Sequence, residues 1–106
     1  ALEVTGAQWV QAWWVQLLVK PSGAALKANV GWHQDRYYWN AWDEGSELFT
    51  AWVALTDVDE DCGPMVFLRG SHRWGFLNQG DFFGQDLETL RTQIALPDGA
   101  VWDEVK

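Results

Sequence analysis

The sequence has one cysteine, Cys62, among its 106 residues, so no disulfide forms within the chain. A lone thiol fits a reducing, cytoplasmic compartment. Basic side chains are also scarce. Seven Lys and Arg stand against fifteen Asp and Glu, for a net charge of −8. They are scattered, with no basic run. A nucleic-acid binder needs a basic face to replace phosphate counterions, so nucleic acid is excluded as a partner. An anionic membrane surface is disfavoured on the same ground. No apolar stretch approaches the roughly 18–20 residues needed to cross a bilayer. The opening ALEVTG has neither a basic n-region nor an apolar h-region, so no signal peptide is expected. Repeats and low-complexity segments are absent too.

What is present is aromatic. Nine tryptophans occur in a chain that is 48% hydrophobic. That composition supports a core and argues against disorder. Small domains bury a lower share of their surface than large ones, so nine indoles cannot all be hidden. Some must line a groove, a pocket or an interface, which points to binding without saying what is bound.

Punctuation divides the chain. Trp13-Trp14-Val15-Gln16-Leu17-Leu18-Val19-Lys20 reads as a buried strand stopped by Pro21-Ser22-Gly23. Residues 31–35 read as a strand end, and residues 37–45 as an aromatic loop. Leu48-Phe49-Thr50-Ala51-Trp52-Val53-Ala54-Leu55 has the strongest strand character and is expected to be central. It runs into an acidic turn, residues 57–64. Met65-Val66-Phe67-Leu68 is a further short strand, and residues 75–84 read as loop. Residues 86–92 have helical spacing, with acids early and Arg91 late, as the helix dipole favours. Pro97-Asp98-Gly99 is a turn signal. A double-sheet jelly roll takes about eight strands, so this set is roughly half of one.

The sharpest chemical signal is His33-Gln34-Asp35. On extended chain, residues i and i+2 point to one face. An imidazole and a carboxylate therefore converge while Gln34 turns away. Two histidines and one carboxylate on one face of an octahedron make the facial triad of non-haem iron(II) oxygenases, and this tripeptide offers two of the three. The run from Asp57 to Asp61 resembles a calcium loop in composition only; it lacks the spacing and terminal Glu of an EF-hand.

The stretch WHQDRYYWN, followed by LFTAWVALTDVDEDCGPMVFLRGSHRWG, resembles the phytanoyl-CoA dioxygenase family of iron(II)/2-oxoglutarate oxygenases. The matching elements are Trp32 to Asp35, Ala51-Trp52, Leu55 to Asp57, Gly63-Pro64 and Gly70 to Arg73. Val19-Lys20-Pro21 upstream is similar to the family's Lys-Pro. Two positions depart from the pattern: Cys62 stands where Asn is usual, and Arg69 where Pro is usual.

The resemblance implies a mainly β fold, a double-stranded β-helix (jelly-roll, cupin-like), of which residues 1–106 are the central part of one oxygenase core. It implies His33 and Asp35 as iron ligands, with 2-oxoglutarate and O2 as cosubstrates. Gln16 and Trp52 fall toward the cosubstrate. Tyr37, Tyr38 and Trp39 form an aromatic wall for substrate, joined by Trp42, and Lys27 is a further charge that could meet a carboxylate. The second ligand histidine and the Arg that pairs with 2-oxoglutarate are expected beyond Lys106. His72, in the family's Gly-Ser-His turn, is not a ligand by this resemblance. Family relatives that halogenate lack the carboxylate, so Asp35 implies hydroxylation of a small organic molecule. The rival reading is a non-catalytic, Trp-rich β-sandwich that binds carbohydrate or another small ligand, with His33 and Asp35 incidental.

Overall fold

The computed structural model of the chain describes residues 2–20, 29–39, 41–43 and 45–106. Helix α1 spans Leu2–Thr5, strand β1 Phe67–Leu68, helix α2 Leu87–Gln93 and strand β2 Glu104–Val105. Three short 3-10 turns lie between them, at Asp35–Tyr38, Glu60–Cys62 and Ser71–Arg73.

Helix α2 forms where the spacing predicts a helix, and local chemistry explains both ends. Asp86 is its N-cap: the side chain accepts the Thr89 amide at 3.0 Å and the Thr89 hydroxyl at 2.7 Å. At the far end the Ile94 amide still reaches the Leu90 carbonyl, while the Ile94 backbone is already extended. Leu87 and Leu90, three apart on one face, are half-buried. Arg91 lies over the Trp102 ring, 5.3 Å from its centroid, and Trp102 meets Trp32 edge-to-face at 5.0 Å. This stack couples α2 to the chain segment that carries His33.

After α2, the expected turn at Pro97-Asp98-Gly99 closes with the Ala100 amide on the Pro97 carbonyl, 3.0 Å, and Gly99 takes a positive φ. The chain then returns as β2, antiparallel to β1, with Phe67 opposite Val105 and Leu68 opposite Glu104. Arg69 prolongs this pairing. Its amide donates to the Asp103 carbonyl at 2.8 Å, and its Nε to the Asp103 carboxylate at 2.7 Å.

Two expected strands turn out differently. Residues 13–20 and 48–55 carry no strand assignment, and among the described residues neither joins a ladder. Trp14, Leu17, Val53 and Leu55 are between 69% and 76% exposed, and Trp52 is 47% exposed, so the run 48–55 is not central. The reason is backbone chemistry. A helix satisfies its own amides and carbonyls, whereas a strand needs a second strand to receive them. No described hydrophobic side chain is fully buried. The chain exposes 8996 Å², against about 6,000 Å² for a compact monomer of its mass.

Candidate metal-binding pair

The chain is extended through Gln34 (φ −113°, ψ 129°) and enters a 3-10 turn at Asp35. The strand end expected at 31–35 is not a strand in the structure, since residues 31–34 join no sheet and Asp35 already turns, but contacts with residues 80–85 hold the segment in place. The Gly31 amide donates to the Phe82 carbonyl at 3.0 Å, and the Asp81 amide to the Trp32 carbonyl at 2.9 Å. The Gln85 side-chain Nε2 donates to the Asn29 carbonyl at 3.0 Å. Gly31 permits this approach: a Cβ there would lie 2.0 Å from the Asp81 carbonyl oxygen. At Gly80 (φ 97°) a Cβ would lie 2.2 Å from the Trp32 carbonyl oxygen.

Gln34 turns away from its neighbours, as the i, i+2 alternation requires. Its side-chain nitrogen donates to the Gly75 carbonyl and its oxygen accepts the Leu77 amide, each at 2.8 Å. This clamp leaves His33 and Asp35 together. His33 Nε2 is 3.1 Å from Asp35 Oδ1, and His33 Nδ1 is 2.7 Å from the Gly31 carbonyl oxygen. A carbonyl only accepts, so Nδ1 carries a proton. In the neutral ring, Nε2 is then a lone pair facing a carboxylate, two Lewis bases across a short gap. Either a proton or a cation resolves that opposition.

The electrostatics follow from this arrangement. Burial opposes charge on His33, but the Asp35 hydrogen bond, the Gly31 carbonyl and the Asp35 charge together outweigh it. Its pKa is raised above the ordinary 6.5. The His33 hydrogen bond lowers the Asp35 pKa below 3.8; burial opposes this, and the Thr50 hydroxyl and the His33 charge support it. The Thr50 hydroxyl donates to Asp35 Oδ2.

Two aromatic rings flank His33. Phe82 meets it edge-to-face at 4.9 Å and Tyr38 at 6.1 Å. The Tyr38 hydroxyl accepts the Phe82 amide at 2.8 Å, which locks the two rings to one backbone. An open cavity of about 110 Å³ borders His33 on the side of Trp32, Phe67, Trp74 and Ile94.

The other residues singled out in the sequence divide into groups. Tyr38 lies beside the imidazole, and Tyr37 packs against Tyr38 at 5.0 Å. Trp39 is half-buried, its amide on the Arg36 carbonyl. Trp42 instead joins Trp13, 5.5 Å away. Gln16 is exposed and makes no hydrogen bond among the described residues. Lys20 donates to the Gly63 carbonyl at 2.6 Å, tying the end of the run 13–20 to the acidic turn. In that turn Asp59 caps Glu60–Cys62, accepting the Asp61 and Cys62 amides at 3.0 Å, and Cys62 is an exposed free thiol. Pro21 and Lys27 lie outside the described residues. His72 is exposed in the turn Ser71–Arg73 and accepts from Arg73 Nε at 3.3 Å. No group of three or more His, Cys, Asp or Glu converges among the described residues, so His72 does not complete a site with His33 and Asp35.

Thr50 and Phe82 were not singled out in the sequence. Thr50 interrupts an otherwise apolar run with a hydroxyl fifteen positions after Asp35, which is the one trace it leaves there.

The family model for phytanoyl-CoA dioxygenase matches residues 1–97. The chain belongs to the phytanoyl-CoA dioxygenase family. No curated protein and no solved structure matches it. Membership places the chain with dioxygenases, which are oxidoreductases. No helix among the described residues is long and apolar enough to cross a membrane.

The donor set of this family member suits a divalent cation. Two donors at about 2.1 Å on neighbouring octahedral positions are about 3.0 Å apart, because adjacent octahedral bonds are perpendicular. His33 Nε2 and Asp35 Oδ1 are separated by 3.1 Å. The proton on Nδ1, fixed by Gly31, is the arrangement that keeps Nε2 free to bind a metal.

Proposed function

We propose that the chain is part of an iron(II)/2-oxoglutarate-dependent dioxygenase that hydroxylates a small organic molecule, with His33 and Asp35 as two of its three protein ligands. The single observation that carries the reading is the His33–Asp35 pair, 3.1 Å apart with the imidazole proton held on the far nitrogen by Gly31. Family membership supports the enzyme over the carbohydrate-binding module. We further propose the double-stranded β-helix as its fold, with the third ligand and the cosubstrate Arg outside the residues described here.

Bound iron(II) would supply the oxidising chemistry, coupling loss of CO2 from 2-oxoglutarate, which leaves succinate, to hydroxylation of a C–H bond. The chain's own part is placement. Gly31 and Gly80 let residues 81–82 lie against the His33 backbone. Gln34 anchors the alternation that turns both ligands to one side. Phe82 and Tyr38 shield one flank of the imidazole from water, and the Tyr38 ring offers an apolar face for a substrate. Gln16 and Trp52 are proposed to face the cosubstrate, and Tyr37 and Trp39 to extend the substrate wall.

The test is succinate formation with iron(II), ascorbate, 2-oxoglutarate and O2, comparing the 106-residue chain with one extended to the natural C-terminus. The short chain, with two ligands, is expected to be inactive. The extended chain should form succinate, and His33→Ala or Asp35→Ala in it should abolish the product. Succinate that survives both substitutions overturns the assignment of the ligands.

A further inference from the structure

We propose that Thr50 is a positioning residue for Asp35: it selects the carboxylate oxygen that faces the His33 imidazole and so strengthens the hold of the pair on a divalent cation. The inference rests on the metal reading given above. It starts from an asymmetry. Asp35 Oδ1 faces His33 Nε2 at 3.1 Å, whereas Oδ2 accepts the Thr50 hydroxyl. A carboxylate is free to turn about its terminal bond and to present either oxygen, or both, to an ion. A hydroxyl that donates to one oxygen removes that freedom and leaves the other directed at the imidazole.

The side chain at position 50 suits the task. Asp35 is 40% exposed, so water competes for Oδ2. An internal donor outcompetes water only if its own freedom is already restricted. Threonine is β-branched, with few χ1 choices. The bond is charge-assisted, which makes it stronger than one between neutral groups. It also ties the 48–55 stretch to the metal-binding pair across fifteen positions of sequence.

Mn(II) provides a readout other than turnover, because it broadens the NMR signals of nearby protons. The 106-residue chain is titrated with Mn(II) and the His33 ring signals are followed in wild type, Thr50→Val, Thr50→Ser and Asp35→Asn. Thr50→Val keeps the shape and removes the hydroxyl, so its half-broadening concentration should rise about 10-fold, the lower end for losing an outer partner of a metal ligand. Thr50→Ser keeps the donor and should stay near wild type. Thr50→Val indistinguishable from wild type, with Asp35→Asn abolishing the broadening, overturns the role of Thr50 and leaves the metal pair standing. Equal weakening in Val and Ser variants also overturns it, since shape at position 50 and not the hydroxyl would then matter. Absence of selective His33 broadening in wild type overturns the metal reading itself, and this inference with it.

Discussion

The segment around His33 and the run 48–55 both carry aromatic side chains and lie outside any strand, and they end in opposite circumstances. Residues 31–34 exchange backbone hydrogen bonds with 81–82, anchor a side-chain amide on 75–77 and leave His33 only 17% exposed. The run 48–55 is the more apolar of the two, yet Val53 is 71% and Leu55 76% exposed. Apolar content therefore does not decide which segment is organised. Two glycines and a glutamine do, because they let a second piece of backbone come close and stay. Hydrophobic burial is non-directional, whereas backbone pairing has a definite geometry, and a strand without a partner gains order from neither.

The largest effect is expected from breaking the organised segment. In Gly31→Ala the new methyl lies 2.0 Å from the Asp81 carbonyl oxygen, with backbone on the far side of the contact. A loss on the order of 4 kcal/mol is expected, as for severe overpacking. Hydrogen exchange should show the Gly31 and Asp81 amides deprotected; unchanged protection would mean the two backbones do not meet as described.

A pair of tryptophan substitutions sharpens the contrast. Trp32 is half-buried against Trp102, and Trp52 is 47% exposed. Trp32→Ala should cost about 3 kcal/mol, near the lower end for truncating a packed tryptophan. Trp52→Ala should cost about 1 kcal/mol, since a half-exposed ring leaves little cavity. Urea midpoints of the two variants measure the difference, and a reversed order would place the core on the other segment.

The smallest expected effect is that of pH on the His33–Asp35 pair. The folded pKa of His33 is raised, so its contribution is complete below pH 6.5 and disappears as pH rises through the raised value. That of Asp35 is lowered, so its contribution is complete above pH 3.8 and disappears as pH falls through the lowered value. Together the two stabilise the metal-free chain most between pH 3.8 and 6.5. Stability measured across pH should fall on both sides of that window. His33→Ala should flatten the alkaline side and weaken the acid side, where His33 is the main cause of the Asp35 shift, and Asp35→Asn should flatten both, because it removes one titrating group and the other's acidic partner.

Legibility in the sequence tracked how local the cause was. Helix α2 was readable because its cap, its dipole charges and its apolar face lie within a few residues of one another. The turn at Pro97-Asp98-Gly99 and the convergence of His33 with Asp35 were readable for the same reason. The 75–84 loop was readable only as a loop. Nothing in its composition says that Gly80 to Phe82 forms the wall against which His33 lies. The runs at 13–20 and 48–55 read as strands by composition, but whether such a run is paired depends on chain remote from it.

By itself, then, the sequence determined the chemistry available: an imidazole and a carboxylate two residues apart, a capped helix, a strong negative charge and a motif order shared with a dioxygenase family. Those properties are set by residue identity and by separations of a few positions, over which backbone geometry varies little. Tertiary structure decided which oxygen of Asp35 faces the imidazole, which nitrogen of His33 keeps its proton, and which aromatic rings stand beside it. Each of those depends on contacts between residues brought together by folding, such as Asp35 with Thr50 or His33 with Phe82, and the spacing of residues along the chain carries no record of such distances.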